Sequence, residues 1–295
     1  VADAAAAGCH WQYDAARLAA TVGARDPAFF WSSDDSCNPF YRVAPGTSTC
    51  YGDQLALVVA SLAATSVAAP GDPAKSSSST PPLLDAADVA ARFRHFFRSG
   101  AYEGASARKA AYAYAADSQT ASATRGPIEG PWPHGTIERF LLLAEDSSSP
   151  NVDDADASAD ALIRAIPVAA ACAARGLDAA TTARLVDEVV CVTQRDGRVR
   201  AHAALVAEAL RRVINGADPR AAIEAAIASG STTGRDKDED LQEVDAARRA
   251  LGTALRVAEE ARRDGSAYGD ALARLRSAEG GLDGYAARPP TKLIS

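Results

Sequence analysis

Residues 49–54 read Thr-Cys-Tyr-Gly-Asp-Gln, and an apolar series with helical spacing follows them directly. The series consists of Leu55, Val58, Val59 and Leu62. Side chains three and four positions apart share one face of an α-helix, so this pattern predicts a helix with Asp53 in or just before its first turn. The backbone N–H groups at such a start favour a bound phosphate or an ionised Asp53. The alternative interpretation is that Asp53 only caps the helix.

The same spacing predicts further helices on both sides of this stretch. Asp85 is placed to cap a helix that runs through Phe97. The remaining predicted helices begin near residue 136 and span residues 159–174, 179–191, 198–214, 219–228 and 240–263. Their predicted inward residues are Val89, Phe93, Phe96, Ile137, Phe140, Leu141, Val199, Val206, Leu210 and Val213. The sequence contains no long alternating pattern and no repeat of solenoid length, so it predicts an all-α, compact multi-helix domain.

Composition along the chain predicts its domain organisation. Residues 1–230 are expected to form one helical domain, with a flexible insertion at about 69–82 where Pro, Gly and Ser replace any periodic pattern. Charge rises and apolar residues thin out over residues 231–295, which are expected to be a helical extension or an incomplete remainder of the same domain. The chain begins at Val1 and contains no methionine, so we expect processing or a longer parent product.

Charge and cysteine content exclude several classes of function. A net charge of -7 argues against a nucleic-acid surface, which needs clustered Lys and Arg. No apolar run approaches the roughly 20 residues needed to cross a bilayer, so the chain is predicted to be soluble. The five cysteines are scattered without any C-x-x-C spacing. This pattern favours a reducing intracellular compartment, with an organelle still possible.

Acidic and titratable side chains supply the other candidates for chemistry. Residues 151–158 contain Asp154 and Asp156, which could provide oxygen ligands to a hard cation such as magnesium. Acidic residues before a helix also stabilise the helix dipole, which is the simpler interpretation. His202 lies beside an apolar stripe and is expected to be a partly buried, satisfied histidine. Cys9 and Cys50 are expected to be small buried hydrophobic residues.

Several segments, taken in order, resemble the ADP-ribosylglycohydrolase superfamily and in particular its crystallin J1-like branch. The segments are residues 1–6, 10–14, 38–41, 49–54, 130–132, 156–167 and 192–194. The resemblance covers about residues 1–217. It implies a helical fold with a cleft in which two magnesium ions assist hydrolysis of the bond between ADP-ribose and a protein side chain or a small molecule.

The resemblance also implies roles for particular residues. Asp53 is the candidate catalytic residue. The candidate magnesium ligands are Asp3, Asp53, Asp154 and Asp156. The candidate substrate contacts are His10, Tyr51, Gly52, Gln54 and Trp132.

The sequence departs from the pattern of active relatives at several places. Where they carry Thr-Asp-Asp-Thr, residues 50–53 read Cys-Tyr-Gly-Asp, so one carboxylate remains. The spacing of their late Asp-x-Asp motif is present at Asp236 and Asp238, but the Gly- and Ala-rich helix expected around it is not. Two alternatives therefore stay open beside a hydrolase with a degenerate metal site. One is an inactive structural or accessory subunit of a larger protein assembly, and the other is a module that binds ADP-ribose or a nucleotide without cleaving it.

Overall fold

The structure is a computed structural model that describes residues 3, 5, 15–23, 41–42, 46, 48–67, 83–99, 128–129, 135–143, 160–229, 238–266 and 268–277. These residues are almost entirely helical. The helices are α1 (Ala15–Val22), α2 (Cys50–Val67), α3 (Ala86–Ser99), α4 (Gly135–Leu143), α5 (Asp160–Ala174), α6 (Ala179–Val190), α7 (Gly197–Ile214), α8 (Pro219–Ala228), α9 (Asp238–Asp264) and α10 (Tyr268–Ser277). Two short strands, β1 (Tyr41–Arg42) and β2 (Ile128–Glu129), pair in parallel. The predicted all-α fold is confirmed.

The hydrophobic core is centred on α5, which packs against α2, α6 and α7. Large side chains from α3 and α4 close one part of it, including Phe93, Phe97, Ile137 and Phe140. The contact between α5 and α7 instead uses small residues, among them Ala165, Ala169, Ala203 and Ala207. Alanine costs no side-chain entropy in a helix and leaves little between two packed backbones, so these helices approach closely.

The C-terminal helices attach to the outer side of α7. Val244 and Ala247 of α9 pack with Ala201 and Leu205 of α7 in a second, smaller apolar cluster. Helix α8 contacts both α7 and α9. The division of the chain at residue 230 stays a prediction. None of the helices in the described ranges is both long and apolar enough to cross a lipid bilayer.

Helix caps and faces show where sequence patterns succeed. Asp85 caps α3 as predicted, because its Oδ1 accepts hydrogen bonds from the N–H groups of Ala87 and Asp88. The apolar face of α3 differs by one position, since Phe97 is fully buried and Phe96 is only partly buried. On α7, Val199 is buried but the predicted Val206, Leu210 and Val213 are only half-buried. Alanines carry most of that face, which a search for large apolar residues does not detect. The predicted insertion at about 69–82 lies outside the described residues.

Candidate functional site

The start of α2 is capped by Thr49 and not by Asp53. The Thr49 hydroxyl accepts a hydrogen bond from the Tyr51 N–H at 3.2 Å, and the Thr49 carbonyl accepts one from the Asp53 N–H at 3.0 Å. The helix therefore begins at Cys50, and Asp53 belongs to its first turn. This corrects the interpretation of Asp53 as an N-cap.

Asp3 reaches the same helix start from the beginning of the chain. Its Oδ2 accepts the Thr49 N–H at 2.7 Å, and its Oδ1 accepts the Thr49 hydroxyl at 2.5 Å. A carboxylate at this position is favourable because the N-terminal end of a helix carries partial positive charge. The contact joins two segments 46 positions apart and places Asp3 at the head of α2.

Gly52 is the residue that permits this close approach. A Cβ atom at position 52 would lie 2.6 Å from Asp3 Oδ2 and 2.9 Å from Ser48 Cβ, so any larger residue forces a shift. Thr49, Gly52 and Asp53 are related by three and four positions and so share one side of the first turn. Asp53 is 6% exposed. The two predicted ligands Asp3 and Asp53 thus belong to one helix start.

A buried network of five polar side chains lies next to this helix start. Its members are Gln54, Thr136, Asp160, Arg164 and Gln194, none more than 2% exposed. Asp160 Oδ2 accepts the Thr136 hydroxyl at 2.7 Å and the Gln54 amide Nε2 at 3.4 Å. Arg164 donates to the Oε1 of Gln54 and to the Oε1 of Gln194, each at 2.6 Å.

This buried network connects four parts of the fold. Gln54 belongs to α2, Thr136 to α4, and Asp160 and Arg164 to α5. Gln194 lies in the loop before α7. Polar groups removed from water cost free energy unless they find partners, and these side chains supply partners to one another. Arg164 and Asp160 also place opposite charges in the same interior, which reduces the cost of burying either one.

The loop at residues 191–196 has a regular backbone and one unusual side chain. The N–H groups of Thr193 and Gln194 both donate to the Val190 carbonyl. Asp196 caps α7 by accepting the N–H groups of Arg198 and Val199. The Thr193 hydroxyl is fully buried and has no hydrogen-bond partner among the described residues. The loop thus brings two uncharged polar side chains, Thr193 and Gln194, into the interior.

Five of the residues predicted for the site are described, and they lie at the head of α2. They are Asp3, Tyr51, Gly52, Asp53 and Gln54. Gln54 is fully buried and bonded to Arg164 and Asp160, so its side chain supports the helix start from inside. His10, Trp132, Asp154 and Asp156 lie outside the described residues. Within the described residues, no group of three or more His, Cys, Asp or Glu is arranged to hold a metal ion.

Sequence reasoning did not select Thr136, Asp160, Arg164 or Gln194 as site residues. Arg164 offered a signal, because it is the only charged residue between Ala161 and Ala174 in a helix whose other residues are mostly apolar. Such a charge in a core helix requires buried partners. Asp160 begins the same helix one turn earlier, so an i, i+4 relation between the two could have been noticed.

The remaining titratable candidates have structural environments. Burial lowers the pKa of His202, and its Nδ1 lies 2.8 Å from the Arg198 carbonyl oxygen. His202 is thus the partly buried, bonded histidine that its position predicted. Cys50 is fully buried, as expected. Burial also raises the pKa of the Cys172 thiol, which keeps this thiol protonated near neutral pH.

Comparison with known proteins gives one match. The family model described as ADP-ribosylglycohydrolase matches residues 1–288. Comparisons with curated proteins and with solved structures gave no match. The family match extends well past the segments that carry the sequence resemblance, through α8 and α9 and α10.

Proposed function

Because the chain belongs to the ADP-ribosylglycohydrolase family, we propose that it hydrolyses the bond that joins ADP-ribose to a protein side chain or a small molecule. The observation that carries this proposal is that Asp3 hydrogen-bonds to Thr49 at the start of α2, while Asp53 lies in the first turn of the same helix. The two aspartates come from distant parts of the chain, and the lack of a side chain at Gly52 leaves room for the Asp3 carboxylate. The buried network supports the helix start on its inner side.

The donor set suits a hydrated magnesium ion. Magnesium is usually bound through one or two carboxylates and keeps several water molecules. Asp3 and Asp53 provide that number. Each Asp3 oxygen already accepts one hydrogen bond from Thr49, but a carboxylate oxygen has a second lone pair for a cation. Asp154 and Asp156 stay predicted as further ligands. When bound, the ion would hold ribose hydroxyls and stabilise negative charge.

The chain's own residues would perform the hydrolysis as follows. Asp53 would accept a proton from water while the water oxygen bonds to the anomeric carbon of the ribose. The bond from that carbon to the leaving group breaks, and its electron pair leaves with the nitrogen or oxygen of the former substrate. The leaving atom then takes up a proton. His10, Tyr51 and Trp132 stay predicted contacts of the substrate.

A specific observation also favours a non-catalytic protein of the crystallin J1-like kind. Both oxygens of Asp3 bind the helix cap, and Gly52 stands where the resemblance expects a second carboxylate. A protein that keeps the fold for assembly would need this cap and not the metal. It would be found as a stable subunit of a larger assembly.

A module that binds ADP-ribose without cleaving it would use the same helix start to hold phosphate.

Release of ADP-ribose from ADP-ribosylated arginine and serine peptides tests the proposal. We expect release in the presence of magnesium, loss of release with EDTA, and a fall of about 10²-fold or more in Asp53→Asn. Asp245→Asn is the matched control, because Asp245 is an exposed aspartate on α9 far along the chain. Binding without release in the wild type would favour the binding module. Neither binding nor release, with magnesium also unbound, would favour the structural subunit.

A further inference from the structure

Arg164 is the most deeply buried charged group beside the candidate site. It is 0% exposed, and its two terminal nitrogens donate to side chains of two separate segments. We propose that Arg164 is a positioning residue: it joins Gln54 to Gln194 and so holds the first turn of α2, with Asp53, in its working place. This inference rests on the proposed function, because it concerns the same reaction.

The geometry of the guanidinium group suits this task. NH1 reaches the Gln54 Oε1 and NH2 reaches the Gln194 Oε1, both at 2.6 Å. A planar fork with fixed donors can bridge two acceptors at once, whereas a lysine offers one compact charge. The two acceptors are amide oxygens, so the bridge depends on donor direction as well as on charge. Arg164 therefore sets the distance between α2 and the loop at residues 191–196.

The other half of the buried network fixes the orientation of the Gln54 amide. Its Nε2 donates to Asp160, so its Oε1 is turned toward Arg164. Asp160 is held in turn by the Thr136 hydroxyl. The Gln54 side chain is thus held from both ends, and its backbone is bonded covalently to Asp53. Arg164 is too deeply buried to touch substrate, so its effect on the reaction must pass through Gln54 and Gln194.

Arg164→Lys tests the inference, and Arg211→Lys is its matched control. Arg211 bridges Glu208 and the Leu177 carbonyl in the last turn of α7, whereas the loop at residues 191–196 precedes the first turn of that helix. Both variants lose an arginine fork and keep the positive charge. We compare kcat and KM for ADP-ribose release and, independently of activity, hydrogen exchange of the backbone amides in residues 50–55 and 191–196.

We expect Arg164→Lys to lower kcat by about tenfold to a hundredfold, because small displacements of a reacting group are costly. KM should stay within about threefold, because the substrate contacts remain. Exchange should accelerate in both segments while residues 244–251 of α9 exchange as in the wild type. Arg211→Lys should leave kcat and both segments unchanged. If Arg164→Lys does not fold, Gln194→Met removes one acceptor alone and should give the same changes at smaller size.

Two results would overturn the inference. One is wild-type exchange in both segments of Arg164→Lys, and the other is an equal loss of kcat in both variants. If the wild-type chain releases no ADP-ribose, the proposed function fails by itself. Faster exchange confined to Arg164→Lys would then still establish that Arg164 holds the two segments.

Discussion

The buried network and the C-terminal helices use the same kinds of side chain in opposite surroundings. In the buried network, an arginine and an aspartate are almost fully removed from water. In α8, α9 and α10, ion pairs join the arginines to acidic residues at the surface. These C-terminal ion pairs include Arg220 with Glu224 and Glu259, Arg248 with Asp245, Arg256 with Glu260, and Arg274 with Asp264. Burial, and not the number of charged contacts, decides what each contact contributes to stability.

The physical reason lies in what replaces a contact when it is lost. An exposed arginine that loses its carboxylate is hydrated at once, so exposed pairs contribute little. Water cannot replace the lost partner of a buried group, so that group keeps the whole free-energy cost of its desolvation. The buried network should therefore respond to single substitutions far more strongly than the C-terminal ion pairs do.

Removing Asp160 should give the largest loss of stability. Asp160→Leu removes the acceptor that Asp160 offers to the Thr136 hydroxyl and the Gln54 amide, and it removes the carboxylate one helical turn before the buried Arg164. We expect a loss of about 3–5 kcal/mol in the free energy of unfolding, measured by urea denaturation. Asp160→Asn keeps one acceptor oxygen and should lose less. A loss below about 1 kcal/mol in Asp160→Leu would contradict the expectation that the buried network responds more strongly to substitution than the C-terminal ion pairs do.

Substitutions at two helical glycines should change the free energy of unfolding by an intermediate amount. Gly52→Ala should destabilise by about 1–3 kcal/mol, because the added carbon meets Asp3 and Ser48. Gly252→Ala on α9 meets only Ile227 Cδ1 at 3.9 Å, so alanine's helix propensity should stabilise by up to about 1 kcal/mol. Both values come from thermal or urea unfolding.

A double variant identifies the atom responsible at position 52. Adding Asp3→Ala to Gly52→Ala removes the closest contact, so the pair should cost less than the sum of the single changes. Part of the cost should persist because Ser48 remains. Strict additivity would show that Asp3 and Gly52 do not touch.

The helices could be predicted from the sequence because they depend on contacts between residues close together in the chain. Helices were found wherever apolar side chains recur at three and four positions, and Pro219–Ala228 matches its predicted range. Helix α2 begins three residues before Asp53, because Thr49 provides the cap. One interpretation of the sequence instead considers Asp53 as the cap. Local patterns report local backbone structure well.

The site was less predictable because its contacts are long-range. Arg164 and Gln54 are 110 positions apart, and Thr136 and Asp160 are 24 apart. No periodicity relates such partners. The sequence resemblance named both Asp3 and Asp53, but only the folded chain places the Asp3 carboxylate against Thr49 and Gly52. Polar residues in a core can be flagged by sequence, but their partners are set by packing.

The smallest effect on stability is expected at the exposed pair of Asp264 and Arg274. Bonds from the Ser266 hydroxyl and from Arg274 lower the pKa of Asp264 to about 2. A carboxyl group with a lowered folded-state pKa stabilises the fold above its unfolded value near 3.9, and this contribution disappears as the pH falls through 2. Because the pair is fully exposed, solvent screening should leave the urea midpoint of Arg274→Ala indistinguishable from that of the wild type.

The pKa of the Asp264 carboxyl should still change when its partners are substituted. This measurement separates a local electrostatic effect from an effect on global stability. Carbon-detected NMR of the Asp264 carboxyl should show a raised pKa in Ser266→Ala and a smaller rise in Arg274→Ala, because the hydroxyl bond is the larger cause. An unchanged pKa in both variants would contradict the assigned causes. A large fall in the urea midpoint would instead show that this exposed ion pair between α9 and α10 contributes to stability as the buried network does.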